Sequence, residues 1–232
     1  MKTTFSSQFF IFFYALISIA FVANGQTTSQ DRPVGSFTGI DVGSAFEVIL
    51  TQGNDHKVVV DVEDKLHEKI DVEVRNNTLY VKTNGKINTK RKMSVYITFA
   101  QVDKLNFSGA SKVSATTPIK GNDMKINLSG ASKLDLNLSV ADLAFNGSGA
   151  SKTTLTGNCN NLKLDLSGAS KFSAFDLPAK TASLDLSGAS KVDVTVADRI
   201  DVNSSGSSKV NYKGGATMGQ LKTSGASSIT KI

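Results

Sequence analysis

Residues 162–175 read LKLDLSGASKFSAF, and residues 182–196 read ASLDLSGASKVDVTV. Apolar side chains take every second place, at Leu162, Leu164 and Leu166 before one motif and at Val192, Val194 and Val196 after the other. Between them stand Lys163 and Asp165, or Asp193 and Thr195. A period of two marks a strand with one face buried, and helical spacing is absent. The SGASK between two such strands reads as a corner. Its glycine marks a place where the chain turns sharply or takes a positive φ. Its alanine is expected to point inward, where a corner has room for a single methyl.

The corner recurs. SGASK stands at 108–112, 129–133, 148–152, 167–171 and 187–191, with SGSSK at 205–209 and SGASS at 224–228. Successive motif glycines lie 21, 19, 19, 20, 18 and 19 residues apart. A unit of this size cannot bury its own apolar face, so identical units must stack. Each unit reads as strand, corner, strand and a variable turn, such as Thr117-Pro118 or Gly157-Asn158. An antiparallel meander would put the motifs at alternating ends; parallel stacking keeps all of them in one row. The fold expected is all-β, a parallel β-helix or β-solenoid of about 19–20 residues per coil, rising about 4.8 Å per coil. Leu128, Leu136, Leu164, Leu166, Leu186 and Val194 are expected inside.

Outward from the repeats the chain divides into three parts. Residues 104–232 hold the seven motifs. Residues 26–103 alternate less regularly, with Asn76-Asn77 as a turn and 86–92 (KINTKRK) as an exposed cationic loop. They read as the first turns and N-terminal cap of the same solenoid, since a sheet edge left open invites pairing with other chains. Residues 1–25 read as a signal peptide: Lys2, an uncharged run over 9–23, then Ala23-Asn24-Gly25 before a cut at Gln26. The run is shorter than the roughly 20 residues of a membrane span. No transmembrane segment is expected after cleavage, and export to the periplasm or cell surface is. Only four residues follow the last SGASS, and the exposed last coil is expected either to be short enough to be harmless or to be used for self-association.

The formal charge of +6 is mild and, with export, gives no reason to expect nucleic acid as a partner. The single cysteine, Cys159, allows no internal disulfide and reads as a small residue in a turn. His56 and His67 read as solvated surface residues, and two histidines eleven apart without nearby cysteines make no zinc pattern. No nucleophile elbow or phosphate loop occurs, and none of the motif glycines opens a helix. No catalytic residue, metal or cofactor is expected. The enzymatic alternative is polysaccharide cleavage, by a lyase or a hydrolase, which needs clustered carboxylates. Asp135, Asp165, Asp185 and Asp193 are the candidates, but they follow the repeat instead of breaking it.

What stacked repeats present is rows. The motif lysines Lys112, Lys133, Lys152, Lys171, Lys191 and Lys209 would form a cationic ridge, a candidate binding site for an anionic polysaccharide or cell-surface polymer. Two residues before each motif runs a row of Asn106, Asn127, Asn146, Asp165, Asp185 and Asn203. The plainer reading makes the ridge a solvated stripe that blunts aggregation on a structural envelope scaffold.

Together, FTGIDVGSAFEVILTQG (37–53), NNTLYVKT (76–83) and the repeated SGAS units resemble the head GIN domain family of auto-transporter adhesins, from about Phe37 to Ile232. The resemblance implies a single-stranded right-handed parallel β-helix, export in a Gram-negative bacterium and an adhesin-like binding module. It supplies no catalytic residues. The repeats run to the last residue, so the membrane β-barrel of a true autotransporter is not expected.

Overall fold

A computed structural model describes residues 27–232; the expected signal peptide lies outside the described residues. The first strands are β1 (Thr27–Arg32), β2 (Gly39–Val42), β3 (Glu47–Gln52) and β4 (Lys57–Glu63). A short 3-10 helix (Asp64–Lys69) leads to β5 (Ile70–Arg75), β6 (Thr78–Thr83) and β7 (Ser94–Phe99). The repeats then give β8 (Lys104–Phe107), β9 (Lys112–Ala115), β10 (Ile119–Lys120), β11 (Asp123–Leu128), β12 (Lys133–Ser139), β13 (Asp142–Gly147) and β14 (Lys152–Asn158). The last are β15 (Asn161–Leu166), β16 (Lys171–Leu186), β17 (Lys191–Ser204), β18 (Lys209–Lys213), β19 (Thr217–Thr223) and β20 (Ser228–Lys231).

Strands that precede a corner pair in parallel with their equivalents one coil away, and strands that follow a corner do the same, which makes two ladders of a right-handed parallel β-helix. Identical positions therefore stack. One inward row runs Leu105, Ile126, Phe145, Leu164, Leu184 and Val202, all buried. The six residues expected inside are each at most 1% exposed. The variable turn is kept in the earlier coils and again in the last, at Gly214-Gly215 between β18 and β19. Between them β16 and β17 run on through the position of the turn, with register shifts where they bend.

At the corner the inward residue is the second serine of the motif, not the alanine. Ala110, Ala131, Ala150, Ala169 and Ala189 are exposed, whereas Ser111, Ser132, Ser151, Ser170, Ser190 and Ser208 are buried. The phase is set by the strand that follows: Val113 points in, Lys112 out, Ser111 in. A buried hydroxyl needs a partner. Ser132, Ser170, Ser190 and Ser208 donate to the carbonyl three residues back at 2.9–3.0 Å, and Ser151 lies 3.1 Å from Ser170 Oγ. The motif glycines have φ of +71° to +86°. Each also lies against its counterpart below; a Cβ on Gly168 would meet the Gly149 carbonyl oxygen at 2.5 Å.

The N-terminal part departs from chain order. β2 and β3 are sandwiched in space: β6 and β7 pair with them on one side, β8 and β9 on the other, all in parallel. Beyond that rung the pairing turns antiparallel, β5 on β6, β4 on β7 and β1 on β4.

Candidate functional site

The lysine row is assembled by strand register alone. Lys112, Lys133, Lys152, Lys171, Lys191 and Lys209 are successive partners through β9, β12, β14, β16, β17 and β18, and all are exposed. Five steps of about 4.8 Å make the row roughly 24 Å long. Its charges are not equivalent. Lys112 Nζ lies 2.7 Å from Glu47 Oε1, and Lys92 reaches the other oxygen of Glu47 at 3.1 Å. Lys112 and then Lys92 hold the Glu47 carboxyl below its ordinary range. Lys191 stands 3.8 Å from Asp193. Among the described residues Lys133, Lys152, Lys171 and Lys209 make no ion pair. Glu47 was missed in the sequence, though it opens its strand at the position the motif lysines take in theirs. Lys92 of the 86–92 loop gave no such signal, because a loop has no register.

The opposite ladder is built differently. Asn106 Nδ2 donates to Asp41 Oδ2 at 3.1 Å, Asn127 to Asn106 at 2.6 Å and Asn146 to Asn127 at 2.7 Å. Each carboxamide has both a donor and an acceptor, so a row of them satisfies itself coil by coil. The row continues as Asp165 and Asp185, in register with each other, and Asn203, which donates to Asp185 at 3.3 Å. On the same ladder a shallow groove of about 350 Å³ opens where Ala144 and Ser183 replace longer side chains, bordered by Asp142, Asn161 and Thr181.

Of the carboxylates considered for catalysis, Asp165 and Asp185 are register partners on adjacent coils of the asparagine ladder, and the other two stand apart from them and from each other. Asp135 and Asp193 lie on the lysine ladder, separated by Thr154 and Ser173, and Asp193 accepts from Asn211 at 2.6 Å. Among the described residues no three His, Cys, Asp or Glu side chains gather as metal ligands.

The histidines are not solvated as expected. His67 is 6% exposed, with Nε2 2.9 Å from Thr28 Oγ1 and Nδ1 3.3 Å from an Arg32 nitrogen. It ties β1 to the 3-10 helix. His56 stacks edge-on against Phe37 with centroids 4.6 Å apart. Cys159 lies in the turn between β14 and β15 and is buried. Burial first, and then the charge of Asp142, push its thiol up to about 11, which makes it a poor nucleophile. No helix among the described residues is long and apolar enough to cross a membrane.

The geometry has relatives. A crystal structure of a "putative adhesin" from Bacteroides fragilis is 22% identical, covers 89% of this chain and 97% of its own, and superposes with a TM-score of 0.84. A "putative adhesin" from Parabacteroides merdae is 18% identical over 90% of this chain and 97% of its own, at 0.73. A "putative lipid binding protein" from Parabacteroides distasonis is 17% identical over 90% and 98%, at 0.72. At these identities the likeness shows the fold. Comparison with proteins of curated function gives no match. The family model described as "Putative auto-transporter adhesin, head GIN domain" matches residues 36–216, which takes in the first rungs and six of the seven motif corners, and the chain belongs to that family.

Proposed function

We propose that the chain is an exported, non-catalytic, adhesin-like binding module of the cell envelope that holds an anionic polysaccharide along its lysine row. The observation that carries this reading is the in-register run of exposed lysines, four of them without a carboxylate partner among the described residues. Family membership and the adhesin names of two relatives support the class of function. Export rests on the sequence pattern of residues 1–25. A lysine is a point charge on a flexible stem, and an exposed ion pair is worth about 0.2–1 kcal/mol. Affinity must therefore come from several coils engaged at once.

The experiment is retention on an immobilised acidic polysaccharide such as a polyuronate. Lys152→Gln alone should change elution little. Lys133, Lys152, Lys171 and Lys209 all changed to Gln should abolish retention while the strand-type circular dichroism stays. Wild-type binding should weaken with salt, since the Debye length is about 8 Å at physiological strength. If the quadruple variant binds like wild type, or wild type does not bind, the row is a solvated stripe. A structural envelope scaffold would then be the function. That reading has its own support: like charges about 4–5 Å apart in water repel by only about 1 kcal/mol, so the row survives without a ligand.

A further inference from the structure

The outward face of the lysine ladder changes character at its N-terminal end. Two residues along each strand from the lysine row runs a second outward row: Ser114, Asp135, Thr154, Ser173, Asp193 and Asn211, polar from coil to coil. Traced back from Ser114, this row becomes Ile49 on β3, Tyr96 on β7 and Val59 on β4. Tyr96 is 43% exposed, with Ile49 and Val59 half-buried at its sides. Of the three exposed large hydrophobic residues among those described, Tyr96 is the one outside the last coil. The stacking of repeats accounts for a row that recurs; an apolar triad that breaks the row needs another cause. Charge is arranged around it. Lys112 and Lys92 meet at Glu47, at 2.7 and 3.1 Å, two cations on one carboxylate. Glu47 lies one strand and two residues from Tyr96, a Cα separation of roughly 8 Å. On the other side the sign reverses. Asp61 is the register partner of Ser94, and Asp31, the partner of Val59, is 3.1 Å from Lys57.

We infer that Tyr96 is a stacking platform for one sugar ring at the end of the bound polysaccharide, an inference that rests on the lysine-row reading. The face of an aromatic ring is negative. The C–H groups on the face of a pyranose carry partial positive charge, so the sugar settles on the ring while its hydroxyls stay in water. A carboxylate on that sugar or the next lies within reach of Lys112 and Lys92. Asp61 and Asp31 disfavour an acidic chain beyond this point, so the aromatic ring marks where the polymer ends. Lysines attract any polyanion, each as a point charge on a flexible stem; a flat aromatic face distinguishes a sugar from the rest.

Titration of the purified chain with polygalacturonate and with poly-L-glutamate, over a series of salt concentrations, tests this. The two polymers share carboxylates, and only the first has sugar faces. Tyr96→Ala and Tyr96→Leu should each weaken the polygalacturonate complex about three- to tenfold. The loss should be the same at every salt concentration, and poly-L-glutamate should bind as it does to wild type. Tyr96→Phe keeps the ring and should bind both polymers like wild type. Tyr96→Leu keeps apolar bulk on the strand, so with unchanged strand-type circular dichroism it separates loss of the ring from loss of the fold. Three results overturn the platform and leave the lysine row to its own quadruple variant: a Tyr96→Ala variant that binds polygalacturonate like wild type, Tyr96 variants that lose both polymers alike, or a Tyr96→Phe variant as weak as Tyr96→Ala. Wild type that binds neither polymer overturns the lysine-row reading and the platform with it.

Discussion

The first corner and the seven that follow share a backbone but not a sequence. At 43–46 the chain reads Gly-Ser-Ala-Phe where the repeats read Ser-Gly-Ala-Ser. Ser44 has φ of +74°, close to the +86° of Gly109, yet it carries a side chain. Its hydroxyl lies 2.8 Å from Thr83 Oγ1, with no motif glycine on that side. From Gly109 onward every corner rests on the one before. A Cβ on Gly109 would meet the Ser44 carbonyl oxygen at 2.5 Å, and Gly149, Gly168, Gly188 and Gly206 stand in the same relation to their predecessors. The dihedral favours glycine; the stacking contact requires it. The inward residue differs as well: Phe46 fills the first corner, and a buried serine fills each of the next six, from Ser111 to Ser208.

The sharpest way to break this comparison is at the inward position. Phe46→Ala should destabilise by about 3–5 kcal/mol, as a large ring leaves a cavity. Ser190→Ala, at the same position of a later corner, should cost about 1 kcal/mol for its hydrogen bond to the Ser187 carbonyl. Equal losses in urea unfolding would mean the two corners pack alike.

At the glycine position the ranking reverses between regions. Gly168→Ala adds a left-handed penalty of about 1–2 kcal/mol to an overpacking cost of about 1–3 kcal/mol. Ser44→Gly meets neither and should stay within about 1 kcal/mol of wild type. A Gly168→Ala variant as stable as wild type would show that the corners do not press on one another.

The smallest effect concerns the ion triad at the start of the lysine row. The folded state lowers the Glu47 pKa. Its stabilisation is therefore complete above the unfolded value of about 4.3 and is lost as pH falls through the folded value. Glu47→Gln should remove that part of the acid dependence of stability and leave the neutral end of the profile nearly unchanged. An unaltered acid limb in the variant would mean that Lys112 and Lys92 do not hold the carboxylate.

The sequence makes the repeats legible because alternation and spacing survive in every copy. Leu128, Leu136, Leu164, Leu166, Leu186 and Val194 are inside, and the six lysines share one row. Period two carried through the corner, from Leu166 to Ser170 to Phe172, already places the serine inward, so the expectation for the alanine departed from a pattern the sequence holds. The placement of β6 and β7 on the far side of β2 and β3 was not legible. A parallel partner 39 residues distant (Gly39 with Thr78) leaves no mark on local pattern. The burial of His67 depends on β1 folding back over the 3-10 helix, a contact that no periodicity announces. Of the candidate site, the row was visible and its charge balance was not, because Glu47 and Lys92 join it only through register and a loop.

The sandwiched rung has a mechanical consequence. A solenoid pulled at one end normally unzips coil by coil, because each coil has only one neighbour left to hold it. Traction from the N-terminal side would first peel β1 from β4, one hydrogen-bonded pair at a time. It would then reach β2 and β3, which are bonded along both edges. Releasing them means tearing two ladders together, or first extracting the whole 57–99 excursion that lies across them. The load-resisting element therefore sits near the point of pull, and detachment under force would be governed by the rate of that one rupture and not by the stability of the repeats behind it.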